Sequence, residues 1–153
     1  MQSIPDTEAA IASAMFLCVL AFLVIVSCHL IGLHWAVRFF RLKQVSGGLR
    51  DRGFQHTAGY IVLVMFLLFL LHMFTNFAWG MFIFLVGVLP HYRDGVYYSL
   101  ENYTSLGLTR VTVSDTWRML APMISLSGVF CLGWSTAMLV NLFGRLYAVD
   151  ADQ

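Results

Sequence analysis

Charged residues are scarce in this chain. Of its 153 residues only 11% are charged and 59% are hydrophobic, whereas soluble globular domains carry ~25% charged residues. The formal net charge is only +1, and no basic tract marks a nucleic-acid partner. The long apolar runs therefore exclude an ordinary soluble domain and predict an all-α, multi-pass protein whose partner is the lipid bilayer.

Cysteine is also rare, and no metal-binding or catalytic pattern accompanies it. Cys18, Cys28 and Cys131 all lie in apolar runs, without the spacing of a disulfide framework or a zinc site, and are expected to be buried. His29 and His34 are five residues apart and do not share a helical face, so a contact with headgroups or another helix is favoured over a haem or metal site. The sequence predicts no enzyme activity, no metal and no resident cofactor.

Three segments are long and apolar enough to cross a bilayer, which takes ~20 residues. They run from Ala9 to about Val37, from Ala58 to Leu89, and from Leu120 to Phe143. The second is longer than one span needs, so it either tilts and projects as one helix or breaks near Trp79-Gly80. Pro90 is expected to end it.

The basic residues predict the orientation. Five of the nine lie in the first loop, residues 38–53: Arg38, Arg41, Lys43, Arg50 and Arg52. Because cytoplasmic loops carry an excess of Lys and Arg, this loop is predicted to be cytoplasmic. The N-terminus then lies outside and the C-terminus in the cytoplasm, with the chain in the cytoplasmic (inner) membrane.

A polar pair lies in the middle of the second span. His72 and Asn76 are four residues apart and share a helical face. Polar groups at this depth usually face protein rather than lipid. We expect them to contact the first helix or the short helix that follows Pro90, either as simple helix-to-helix hydrogen bonds or with a further role.

Between the second and third spans lies GVYYSLENYTSLGLTR, residues 95–110. A helix from Gly95 to Tyr103 would be about 13 Å long, against ~30 Å of hydrocarbon. Hydroxyl residues and one glycine follow it. The stretch therefore predicts a short re-entrant helix and a non-helical loop that must be hidden in protein or line a water-filled cavity.

This stretch resembles the pore helix and selectivity filter of potassium-channel pore-loop proteins, whose filter reads Thr-Val-Gly-Tyr-Gly-Asp. The later segments SDTWRML, residues 114–120, and GWSTA, residues 133–137, are similar to those that follow the filter in small bacterial channels of this size. The resemblance covers about residues 90–146. It implies three transmembrane helices with a re-entrant pore helix, assembled as a homotetramer around a pore for a monovalent cation, potassium or sodium.

When residues 105–109 are aligned with the family motif Thr-Val-Gly-Tyr-Gly, Ser105 keeps the hydroxyl of the first residue and Gly107 keeps the first glycine. Leu108 replaces the tyrosine and Thr109 the second glycine, where a β-branched residue disfavours φ > 0. The outer half of the filter is therefore predicted to be remodelled and potassium selectivity weakened. The ion-facing candidates are Thr104, Ser105, Leu106 and Gly107, with Leu108 and Thr109 in the altered outer part.

Two groups are candidates for support behind the filter. Glu101 and Arg110 fall at positions where family members have a glutamate and an aspartate, so a salt bridge between them is predicted, with a solvated Arg110 as the alternative. Tyr97 and Tyr98 fall at the family's aromatic positions and are candidates for a cuff, although Tyr and Trp favour membrane interfaces in any case.

The last span carries two further candidates. Gly128 and Gly133 are either an inner-helix hinge, as the resemblance implies, or sites of close helix packing. A stripe at spacing three or four is one candidate lining of a cavity: Ser127, Cys131, Ser135, Met138 and Leu142.

Two functions remain open at this point. The first is a tetrameric cation channel of altered or weak selectivity. The second is a non-conducting structural or accessory membrane subunit that keeps the pore-loop fold. The predicted divisions are an N-terminal helix with its basic loop (residues 1–57), a channel-like domain (58–146) and a short cytoplasmic tail (147–153).

Overall fold

The computed structural model describes residues 4–45, 54–107 and 111–151. Its elements are α1 (Ile4–Val45), α2 (Phe54–Leu85), α3 (Tyr92–Tyr103), a single 3₁₀ turn (Asp115–Trp117) and α4 (Leu120–Ala151). Every regular element in these ranges is helical, which confirms the all-α class. The division into three parts stays a prediction; residues 147–151 continue α4.

Three of the helices are long and apolar enough to cross a membrane. The candidate spans are Glu8–Phe39, Gly59–Leu85 and Asp115–Leu142. Large apolar side chains such as Phe16, Val62 and Phe74 lie on the outer surface, where a protein in water would carry polar groups. The chain therefore has the exterior of a multi-pass membrane protein.

The second apolar segment forms one helix, which passes Trp79 and Gly80 without a break and ends at Leu85. Its end is made by Gly87, at φ +73°, where Gly87 N–H donates to the Phe84 carbonyl at 3.1 Å and Val88 N–H to the Ile83 carbonyl at 3.1 Å. This pair of bonds is a Schellman cap, which needs a residue in the left-handed region. The prediction that Pro90 ends the helix was wrong, because the glycine ends it first.

Helix α3 begins at Tyr92, three residues before the predicted Gly95, and packs mainly on α2 and α4. Two glycines bring it close to α2. A Cβ added at Gly80 would lie 2.9 Å from the Val96 backbone nitrogen, and one added at Gly95 would lie 2.9 Å from the Gly80 carbonyl oxygen. The backbones of α2 and α3 therefore touch, and this crossing positions the loop that follows α3.

An apolar core joins all four helices around fully buried side chains, among them Trp79 and Ile83 of α2 and Leu120 and Ile124 of α4. Cys18 and Cys131 are buried in this core, as expected. Cys28 is exposed, so the expectation that all three cysteines are buried was wrong for this one. An apolar run in a membrane protein has a lipid-facing side as well as a buried one.

Candidate functional site

The loop after α3 turns back on the end of its own helix. Ser105 N–H donates to the Asn102 carbonyl at 2.9 Å, while the N–H groups of Leu106 and Gly107 donate to the Glu101 carbonyl at 3.0 and 3.4 Å. Ser105 and Gly107 have φ +59° and +63°. These bonds satisfy carbonyl groups at the C-terminus of the helix that would otherwise lack partners, and they tie residues 105–107 to the end of α3.

The same bonds determine where the loop carbonyls point. No peptide bond in the described chain is cis, and a planar trans peptide directs its C=O opposite to its N–H. Since the N–H groups of residues 105–107 point at α3, the carbonyls of Thr104, Ser105 and Leu106 point away from it. These three residues and Gly107 are exposed. The loop thus offers a short run of oxygen ligands on the outside of the chain.

The predicted ligands divide into two parts. The Thr104 hydroxyl donates back to the Leu100 carbonyl at 2.9 Å, so only its carbonyl is directed outward. Leu108, Thr109 and Arg110 lie outside the described residues. The remodelled outer filter therefore stays a prediction.

The predicted support residues do not share one environment. Tyr98 is buried, 3% exposed, whereas Tyr97 is 60% exposed, and the cuff stays a prediction. Burial raises the pKa of the Tyr98 phenol, which stays protonated at neutral pH. Glu101 is half-buried, and its salt bridge with Arg110 stays a prediction because Arg110 is not described.

The two glycines of α4 differ in their surroundings. A Cβ on Gly128 would lie 2.1 Å from the Tyr103 carbonyl oxygen, while one on Gly133 would meet no atom within 4 Å. Next to this contact the Ser125 hydroxyl donates to the Asn102 carbonyl at 2.8 Å. Gly128 therefore lets α4 lie directly against the last turn of α3. A hinge role for Gly128 or Gly133 stays a prediction.

A buried polar cluster lies on the inner side of this contact, and His29 of α1 is at its centre. Its Nδ1 lies 2.9 Å from the Thr75 hydroxyl oxygen and its Nε2 lies 3.4 Å from the Ser135 hydroxyl oxygen. The Thr75 hydroxyl donates to the Leu71 carbonyl at 3.0 Å. The Thr75 oxygen must then accept from Nδ1–H, which leaves Nε2 of a neutral ring to accept from Ser135. His29 thereby joins α1 to α2 and α4.

The cluster extends to α3 through the two residues that share a face of α2. The His72 ring stacks at a tilt on His29, with ring centres 4.8 Å apart, and its Nδ1 lies 2.7 Å from the Tyr103 hydroxyl oxygen. The Ser99 hydroxyl donates to the Asn76 side-chain carbonyl at 3.1 Å. His72 thus contacts both the first helix and the short helix, and Asn76 contacts the short helix, as expected.

Tyr103 connects this cluster to the loop. It is the last residue of α3 and is 3% exposed, and burial raises the pKa of its phenol above the usual value. Its hydroxyl bonds to His72 while its carbonyl lies against Gly128. The residue immediately before the loop is therefore anchored to both α2 and α4.

The stripe of α4 that was a candidate cavity lining faces the inside of the chain. Ser127, Cys131 and Ser135 are buried, and the Trp79 indole N–H donates to the Ser127 hydroxyl at 3.0 Å. Within one chain this candidate lining is therefore packed against the other helices. The opposite face of α4 is exposed, with Val129, Gly133, Thr136 and Val140 along it.

Sequence reasoning missed the partners of His29. Thr75 and Ser135 lie 46 and 106 residues away in the chain, and no local pattern connects them. The one available signal was a histidine inside an apolar run, since polar residues within a membrane span usually face protein. Among the residues that the structure describes, no group of three or more His, Cys, Asp or Glu could hold a metal ion.

Comparisons with protein-family models, curated proteins and solved structures return no match. The likeness of residues 90–146 to pore-loop channels therefore rests on the sequence motif.

Proposed function

We propose that this chain is the subunit of a homotetrameric pore-loop cation channel of the cytoplasmic membrane, with weak or altered selectivity between potassium and sodium. The N-terminus lies outside and the basic loop lies in the cytoplasm. The observation that carries the proposal is the set of outward-pointing carbonyls of Thr104, Ser105 and Leu106.

A cation that enters a bilayer must exchange its hydration shell for fixed oxygens, and rings of backbone carbonyls supply them in potassium-selective pores. One chain offers three successive carbonyls in an exposed loop. Four chains around a common axis would turn them into three stacked rings. The exposure of the loop within one chain is consistent with this use, because ligands for an ion shared by four chains cannot be buried inside one of them.

Rigid support of the loop also favours the proposal. The N–H groups of the loop are bonded to α3, and Tyr103 is held by His72 and by the contact with Gly128. Carbonyls that replace a hydration shell act best when their positions do not have to be reorganised for each ion. The altered residues Leu108 and Thr109 are the reason for proposing weak selectivity.

The test is ion flux through purified protein in liposomes, with gradients of potassium, sodium and chloride compared in turn. Gly107→Ala is the informative variant and Gly87→Ala its matched control. Both glycines have φ near +70° and open space around the added Cβ, so the backbone cost is similar. Only Gly107 lies in the loop.

We expect the native protein to pass cations but not chloride. In Gly107→Ala the cation flux should be lost or its selectivity altered, and in Gly87→Ala the flux should be retained. Equal loss in both variants, or no cation flux from folded native protein, would contradict the proposal. Leu108→Tyr combined with Thr109→Gly restores the family residues and is expected to raise the preference for potassium. Flux in this double variant with none in the native protein would instead favour the non-conducting accessory subunit.

A further inference from the structure

A groove runs between α1 and α2 on the outer surface of the chain. Its volume is about 430 Å³, within the ~300–1,000 Å³ range of ligand pockets. Its lining is apolar and comes from Trp35, Ala36 and Phe39 of α1 and from Leu67, Leu70 and Leu71 of α2. At Gly32 the two helices touch, because an added Cβ would lie 2.7 Å from Leu71 Cδ1.

A cation lies at the rim of this groove. The guanidinium carbon of Arg38 is 5.7 Å from the centre of the Trp35 ring, a cation–π distance, and Arg38 is exposed. Arg38 is the first charged residue after the apolar run of residues 9–37, so it lies at the level where the hydrocarbon meets the headgroups.

Arg38 has no carboxylate partner among the side chains that the structure describes, where the one ion pair joins Arg93 to Asp94. The Trp35 ring satisfies one face of the guanidinium and leaves its N–H donors open. An arginine fork with free donors fits the oxygens of a phosphate group. The groove and its rim together are complementary to an amphiphile that has an apolar body next to one anionic group.

We propose that the α1–α2 groove binds an anionic phospholipid, with an acyl chain against Trp35, Ala36 and Leu71 and the headgroup phosphate on Arg38. The lipid comes from the leaflet that faces the basic loop. Basic groups at the end of a transmembrane helix attract anionic lipids of that leaflet, and here the groove adds a place for the chain. The site does not depend on ion conduction.

The test compares phosphatidylglycerol with phosphatidylcholine of identical acyl chains, each added to purified full-length protein in detergent. Bound lipid is counted by native mass spectrometry. Arg38→Gln removes the cation, and Arg118→Gln, which changes an exposed arginine two residues before α4, is its control. Ala36→Leu fills the groove, and Val24→Leu, at an exposed position of α1 outside it, is its control.

We expect phosphatidylglycerol to bind in preference to phosphatidylcholine. Arg38→Gln should weaken phosphatidylglycerol binding roughly fivefold, the effect of one basic residue near an anionic surface. Ala36→Leu should weaken the binding of both lipids. The two control variants should bind lipid as the native protein does. Equal binding of the two lipids, or an unchanged preference in Arg38→Gln, would overturn the proposal. A changed oligomeric state in Ala36→Leu with unchanged lipid binding would assign the groove to a second copy of the chain instead.

Discussion

The substitution Gly128→Ala tests the contact that joins the last helix to the base of the loop. The new Cβ would lie 2.1 Å from the Tyr103 carbonyl oxygen and 3.0 Å from its carbonyl carbon. These distances are shorter than an ordinary van der Waals contact, so α4 and α3 have to move apart in a close-packed interior that has no slack for it. The obstacle is backbone and cannot rotate away as a side chain would.

The magnitude follows from three contributions. Overpacking of this kind costs about 1–3 kcal/mol. The separation also breaks the bond from the Ser125 hydroxyl to the Asn102 carbonyl, 2.8 Å long, which costs about 1 kcal/mol. Against these, replacing glycine by alanine in a helix gains up to ~1 kcal/mol. We expect Gly128→Ala to lower the free energy of unfolding by about 1–3 kcal/mol.

Gly133→Ala is the matched control, because it makes the same change in the same helix with no atom within 4 Å of the new Cβ. Its expected effect is a gain of up to ~1 kcal/mol. The assay is unfolding in mixed detergent micelles, followed by the thiol reactivity of the two buried cysteines, Cys18 and Cys131, in a Cys28→Ser background, since Cys28 is exposed. Equal stability of the two variants would refute the close contact and favour a hinge role for Gly128.

Two further predictions concern the buried polar cluster. Tyr103→Phe keeps the ring but removes the hydroxyl that lies 2.7 Å from His72 Nδ1. We expect the free energy of unfolding to fall by about 1 kcal/mol in the same assay. An unchanged midpoint would mean that the bond does not hold the base of the loop. Ser99→Ala leaves the Asn76 side-chain carbonyl without its donor. We expect a cost of about 0.6 kcal/mol, the average for hydrogen bonds between membrane helices, and no more than about 1.7 kcal/mol. Ser114→Ala, at an exposed position, is the control for Ser99→Ala and should change nothing; equal losses in both would show that the Asn76 contact contributes no stability.

The sequence alone determined the helical class, the three apolar helices and the short polar helix between the second and the third. The physical reason is that a backbone in lipid must satisfy its own hydrogen bonds, so long apolar runs can only be helices. It also indicated that His72 and Asn76 face protein, because two polar side chains on one helical face are costly in hydrocarbon. Local chemistry was sufficient for these features.

Tertiary structure decided which side of each helix is inside. The long helices are apolar all round, so no amphipathic stripe shows which face is buried. The face of α4 that carries Ser127 and Ser135 was therefore only one candidate lining of a cavity, and the structure packs it inside the chain. His29 meets Thr75 and Ser135 only because three helices cross at one level, and Gly128 matters only because the Tyr103 carbonyl lies against it. Such contacts depend on how the helices approach one another, which periodicity within one helix does not determine.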